Sequence, residues 1–347
     1  MNKEARVDAH KTIQSIFHIL GILVILGFLA LQGAGCMIMV SAMGDSAGSV
    51  STGSEAEDEF LFGDESAETH FLRIPIEGII LNQPEERFPG LSEESMPART
   101  HRLIDHARKS DEIAGILVDI DSPGGAVDPS DVIYHQLMRF REESGKPVVA
   151  RLRGVAASGG YYIASAADLA IAHPSCITGS IGVIIQSMNM RGLFDKLGLE
   201  LLTLTSGPNK DLLNPGREMS DEERAILMTV VDDAYGNFVR AIVEGREMDE
   251  GLVRELGDGR IYTAAQALEN GLIDEIGYEE ELLEILRDLS ASATVDVVSR
   301  EEPTSLLDVL GLEIRSLFPS STPEQILGMR TSTLREAGLY YLWEPGL

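Results

Sequence analysis

The chain has 347 residues, 44% of them hydrophobic and 24% charged, enough for one large domain or two small ones with a substantial core. Its formal net charge of -28 argues against a nucleic-acid partner, because phosphate binding needs clustered Lys and Arg. Two cysteines, Cys36 and Cys176, form neither a disulfide framework nor a zinc pattern, and the histidines show no ligand spacing. No metal and no cofactor is expected.

Residues 1–11 carry Lys3, Arg6 and Lys11 and read as a cytoplasmic amino terminus. From Thr12 to Gly44 there is no Asp, Glu, Lys or Arg, and Ile19 to Leu31 is almost purely aliphatic. About 20 apolar residues suffice to cross the hydrocarbon core, so 12–42 reads as a transmembrane signal anchor. The positive-inside bias then places the bulk of the chain on the far side of the cytoplasmic membrane. A cleaved signal peptide is an alternative. So is a lipoprotein signal, since Gly33-Ala34-Gly35-Cys36 resembles a lipobox except at Gly33. Residues 43–69, rich in Gly, Ser, Ala, Asp and Glu, read as a flexible acidic linker.

A folded domain is expected over 70–295. Phe71 to Ile80 reads as a strand, Ala98 to Ser110 as a helix, and Ile113 to Asp121 as a buried strand ending in Ser122-Pro123-Gly124-Gly125. Pro129 to Ser144 reads as a helix opening on proline, and Pro147 to Gly154 as a strand. A helix follows Ser158. Leu169 to Pro174, Ile181 to Met190 and Leu199 to Thr205 read as strands, with a short helix over Phe194 to Gly198. Ser220 and Glu223 stand at capping-box spacing before a long helix ending near Arg246. Helices over Thr263 to Asn270 and Glu279 to Leu289 complete an α/β pattern. Residues 296–347 read as a helical extension with an amphipathic stretch, Leu306 to Phe318, and an aromatic end. Three roles stay open for it: capping an oligomer interface, lying on the membrane, or covering a substrate groove.

Ser158 stands at a strand-to-helix turn among small residues, Ala156-Ala157-Ser158-Gly159-Gly160. Such a serine is a nucleophile candidate near the nucleophile-elbow pattern, and equally a helix-capping residue. Gly124 and Gly125 follow a buried strand, where glycine lets backbone N–H groups reach a substrate carbonyl; an ordinary turn is the plainer reading. A nucleophilic serine needs a base, and no histidine has a motif-like setting, His173 included. A lysine serves only if neutral, and its reference pKa of about 10.4 would have to fall to about 8, costing about 3–4 kcal/mol. Lys210, in Thr205-Ser206-Gly207-Pro208-Asn209-Lys210, is the candidate, although its neighbour Asp211 argues mildly against a depressed pKa. On spacing alone a surface lysine is the better reading of Lys210.

Five blocks in one order carry a resemblance: GILVDIDSPGG, VAASGGYYIASAAD, TGSIGVI, TSGPNKDLLNPGREMSDEER and DGRIYTAAQALENGLIDEIG. Together they closely resemble bacterial signal peptide peptidase A in its short, single-domain form, over roughly Phe71 to Gly277. The resemblance implies a ClpP/crotonase-like spiral of β-β-α units behind one amino-terminal transmembrane helix. It implies a Ser–Lys dyad with Ser158 as nucleophile and Lys210 as base, Ser180 supporting the lysine, and an oxyanion hole from the N–H groups of Gly124 or Gly125 with Gly159. It further implies apolar peptide substrates such as remnant signal peptides. Eight subunits are expected, each completing its neighbour's active site. Rival readings are a crotonase-like enzyme acting on acyl-CoA, a catalytically silent membrane scaffold, and a cytoplasmic ClpP-like peptidase component.

Overall fold

The computed structural model describes residues 57–84, 86–88, 91–92, 94–300 and 339–342. The span expected over 12–42, Cys36 and the amphipathic stretch 306–318 lie outside these residues. Among the described residues no helix is long and apolar enough to cross a membrane.

In chain order the elements begin with β1 (Asp58–Gly63), β2 (His70–Ile80), β3 (Glu86–Phe88), β4 (Leu91–Ser92), α1 (Met96–Lys109) and β5 (Ile113–Ala126). Next come α2 (Val127–Ser144), β6 (Val148–Ala157), α3 (Gly159–Ala164), β7 (Leu169–Ala172), β8 (Ile177–Gly179), β9 (Ile184–Ile185) and α4 (Arg191–Leu197). The chain then runs through α5 (Asp221–Arg246), α6 (Glu250–Leu256), β10 (Ile261–Thr263), α7 (Ala264–Glu269) and β11 (Glu275–Ile276). It ends with α8 (Glu279–Ser290), β12 (Asp296–Arg300) and β13 (Leu339–Leu342).

The fold is α/β with a mixed sheet in the order β1-β12-β2-β5-β6-β7-β11. From β12 to β11 neighbouring strands run parallel, while β1 closes one edge antiparallel to β12. Parallel strands covered on both faces read as near-continuous apolar runs, and β2, β5 and β6 do so. Alternate residues separate the faces. Ile74, Ile76, Val118, Ile120, Ala150 and Leu152 join the larger core with α1, α2, α3 and α5. Phe71, Leu117, Val149 and Ile171 face the other way, beneath Leu282 and Leu286 of α8.

Further along that second face the sheet carries charge. The Asp119 carboxylate is fully buried, and Arg73 Nε and Arg151 Nε each donate to it at 2.6 Å. Burial alone would raise its pKa. The hydrogen bond and charge of Arg151, with the charges of Arg73 and Arg153, outweigh burial and hold it below the usual value.

Several expectations change. Residues 57–69 of the expected linker are not all linker: Asp58–Gly63 pairs with β12, because Phe62 packs on the second core and under the Arg151 guanidinium, 5.2 Å from its ring centre. The extension expected from 296 begins as a sheet strand, with Val297 paired to Phe71. Ser122 to Gly125 is not a turn but the end of β5, beyond a register shift against β2. Ile181 to Met190 forms only the two-residue β9. Leu199 to Thr205 is no strand, for its alternating leucines find no pairing edge among the described residues and stay exposed.

Candidate active site

The parallel pairing of β6 and β8 builds the centre of the site. Val155, Ala156 and Ala157 pair with Ile177, Thr178 and Gly179. One residue beyond that pairing, Ser158 follows the end of β6 and Ser180 follows the end of β8. The Ser158 N–H donates to the Gly179 carbonyl at 2.8 Å, and the Ser180 N–H donates to the Arg260 carbonyl at 2.8 Å. Both serines have positive φ, 53° and 49°, a conformation that side-chain-bearing residues rarely hold without surrounding support. Both are buried.

Ser158 directly precedes α3, yet its side chain caps no N–H of that helix. The capping reading of Ser158 therefore fails, and the hydroxyl is not committed to the helix it introduces. Close packing fixes the turn. A Cβ on Gly160 would lie 2.9 Å from the Ser122 carbonyl oxygen, so only glycine lets α3 sit this near β5. Tyr161 and Tyr162 anchor the helix through hydrogen bonds to the Leu272 carbonyl at 2.7 Å and the Asp131 carboxylate at 2.6 Å.

The glycines fall beside this turn. Ser122 pairs with Ala156 across β5 and β6. The Gly124 N–H donates to Ser122 Oγ at 3.1 Å, and that hydroxyl donates to the Gly78 carbonyl at 2.6 Å. Gly124 is thus engaged, a role for Ser122 that the sequence did not suggest. Gly125 is tightly held, since a Cβ there would lie 2.1 Å from the Ile80 carbonyl oxygen. Gly159 opens α3, where first-turn N–H groups have no acceptor within the helix.

Lys210 is not brought to Ser158 within the chain. It lies exposed in the loop between α4 and α5, and its side chain makes no hydrogen bond or ion pair among the described residues. The loop is fixed by its neighbours. Arg217 bridges Asp211, at 2.7 Å, and Glu223, which also closes the capping box on Ser220. Hydrogen bonds from Arg217 and Asn214 hold the Asp211 pKa down at about 2. Its carboxylate is therefore directed at Arg217. Hydrogen bonds from Arg217 and the Ser220 backbone likewise hold Glu223 at about 2.

His173 makes a local turn, its Nδ1 2.7 Å from Ser175 Oγ and its ring edge-on to Tyr278. Ser180 lines a cavity of about 790 Å³ together with Ile184, Asp232, Tyr235, Gly257 and Gly259.

Residues 141–293 match peptidase family S49. A chain of Methanocaldococcus jannaschii named as a protease is 32% identical over 286 residues, covering 82% of this chain and 86% of the relative. A chain of Enterococcus faecium named as signal peptide peptidase SppA is 38% identical over 193 residues, 56% of either chain. The chloroplastic serine protease SPPA of Arabidopsis thaliana is 32% identical over 212 residues, 60% of this chain and 31% of the relative. The match thus spans little more than half the length of the E. faecium relative.

Proposed function

The chain belongs to peptidase family S49, and on that premise we propose that it is a serine endopeptidase with Ser158 as nucleophile and Lys210 as general base. One observation carries the nucleophile: Ser158 is buried at positive φ before α3 without capping it, as a strained nucleophile turn requires. Neutral Lys210 takes the Ser158 proton as Oγ attacks a peptide carbonyl. The N–H groups of Gly159 and Gly125 stabilise the oxyanion, joined by that of Gly124 when it leaves Ser122. The leaving amine takes the proton from the lysinium, and water then hydrolyses the acyl-enzyme with Lys210 again as base.

Lys210 reaches Ser158 from a neighbouring subunit in this reading. The segment carrying it exposes Leu197 at 62%, Leu199 at 57%, Leu202 at 79% and Leu204 at 90%, an apolar surface suited to burial against another copy. The cavity beside Ser180 would receive the lysine, with the Ser180 hydroxyl accepting from it. Eight copies closing into a ring is the assembly we favour, each subunit a ClpP/crotonase-like spiral. The turn of β6 from β7 at its start to β8 at its end supports that spiral. The anchor over 12–42 would hold the enzyme in the cytoplasmic membrane with the peptidase outside, facing apolar peptides such as remnant signal peptides.

A fluorophosphonate probe tests the nucleophile. We expect it to label Ser158, located by peptide mass mapping, and not the Ser158→Ala chain. Labelling elsewhere, or peptidase activity undiminished by Ser158→Ala, overturns the assignment.

A further inference from the structure

Ser122 stands outside the Ser–Lys pair, yet it meets both walls of the site. Its side chain lies where β2 and β5 shift register, between the pairs Glu77–Asp121 and Ile79–Gly124. The hydroxyl spans that step, donating to the Gly78 carbonyl at 2.6 Å and accepting from the Gly124 N–H at 3.1 Å. The main chain of Ser122 faces the other wall. It pairs with Ala156 of β6, two residues before Ser158. Its carbonyl lies so close under α3 that a Cβ on Gly160 would approach the oxygen to 2.9 Å. Ser122 is fully buried between the two.

These walls carry the proposed oxyanion donors, Gly124 and Gly125 at the end of β5 and Gly159 at the start of α3. Gly125 cannot shift toward β2, because Ile80 already crowds it. Gly124 sits at φ 102° and has no Cβ to restrict its backbone, so its direction must be set from outside. The Ser122 hydroxyl does this. We propose that Ser122 is a positioning residue of the oxyanion hole: its hydroxyl sets the direction of the Gly124–Gly125 peptide, and its carbonyl sets the spacing between that peptide and the Ser158–Gly159 turn. The bond to the Gly78 carbonyl persists when the Gly124 N–H turns to the oxyanion, so the step in β5 keeps its shape through the reaction. This rests on the peptidase reading above and adds to it the group that aims its donors. Such donors act only when they point at the place where charge develops, and deleting one costs about 10²–10³ in kcat. Misaiming them costs less, about 30-fold.

The test compares the full chain with its Ser122→Ala and Ser130→Ala variants in hydrolysis of a fluorogenic apolar peptide. Ser130 is an equally buried serine of α2, its hydroxyl bonded to the Ala126 carbonyl at 2.8 Å, and it controls for the loss of a buried hydroxyl. We expect Ser122→Ala to lower kcat about 30-fold with KM within about twofold of the unaltered chain, and Ser130→Ala to change neither. Two inhibitors then separate aiming from loss of structure. A peptide aldehyde, which adds to Ser158 and places an oxyanion in the hole, should bind Ser122→Ala about 30-fold more weakly. The same peptide ending in a primary amide forms no adduct and should bind both forms equally. Unchanged kcat, or an equal loss of aldehyde and amide binding with a lower Tm, overturns the proposal and leaves the peptidase reading intact. Should no form hydrolyse peptide or bind the aldehyde, the peptidase reading falls. Hydrogen–deuterium exchange then decides whether Ser122 holds the two walls. Faster exchange over 122–126 and 158–161 in Ser122→Ala but not in Ser130→Ala supports that role, and unchanged exchange overturns it.

Discussion

Ser158 and Ser180 leave two paired parallel strands one residue beyond the same register pair, Ala157 and Gly179, and both turn at positive φ. The strain at Ser158 separates its backbone role from its hydroxyl. Alanine removes the hydroxyl and keeps the strain, whereas glycine removes both. We expect Ser158→Gly to be more stable than Ser158→Ala by about 1 kcal/mol, read from denaturant midpoints, with neither active. Equal midpoints would show that the turn is not strained.

Gly125 and Gly145 make a contrasting pair. A Cβ on Gly125 would meet Ile80 backbone atoms at 2.1 and 2.5 Å, whereas one on Gly145 meets nothing within 4 Å. Gly125→Ala should cost about 3 kcal/mol, the upper range for overpacking, and disturb the β2–β5 pairing. Gly145→Ala, at φ 66° in a helix C-terminus, should cost only about 1 kcal/mol. Urea unfolding of both variants checks the difference.

The elements read most clearly from sequence are those with local causes. Ser220 and Glu223 form the capping box their spacing announces, and the apolar run Ile113 to Asp121 is buried within a central strand. The strand-to-helix turn at Ser158 was legible because small residues end β6 and open α3. What stayed hidden depends on partners far along the chain. Residues 339–342 are a strand only because Gly125 and Ile184 offer edges to them. Leu199 to Thr205 has strand-like alternation but no such edge among the described residues. The Gly124 N–H donates to Ser122 Oγ where β5 shifts register against β2 and β6, and those shifts depend on the neighbouring strands.

Acid should loosen the loop that carries Lys210. Asp211 and Glu223 have folded pKa values near 2, below their ordinary 3.8 and 4.5. Depressed carboxylate values mean that the stabilisation is fully present above about pH 4.5 and is lost as pH falls toward 2. Arg217→Met removes the shared partner and should flatten this acid limb in a plot of Tm against pH. It should also lower kcat/KM at neutral pH by releasing the loop. An unchanged acid limb would mean that the bridge contributes nothing to folding.

Cys176 should be inert in the folded chain. It is 1% exposed, and burial raises its thiol pKa to about 12. The reactive thiolate is therefore scarce at neutral pH. Iodoacetamide labelling followed by peptide mapping should find Cys176 unmodified until denaturant unfolds the chain. Rapid native-state labelling would show that the β8 region opens readily.

Complementation between variants is the decisive measurement for a Ser158–Lys210 dyad completed between subunits. Ser158→Ala and Lys210→Ala chains are assayed separately, then unfolded together, refolded as mixed oligomers, and assayed on the same apolar peptide. Each variant alone should be inactive and the mixture should recover activity, because a Lys210→Ala subunit still supplies Ser158 to a neighbour supplying Lys210. Substantial activity in Lys210→Ala alone would contradict the lysine as base, and an inactive mixture of properly assembled oligomers would contradict a site shared between subunits.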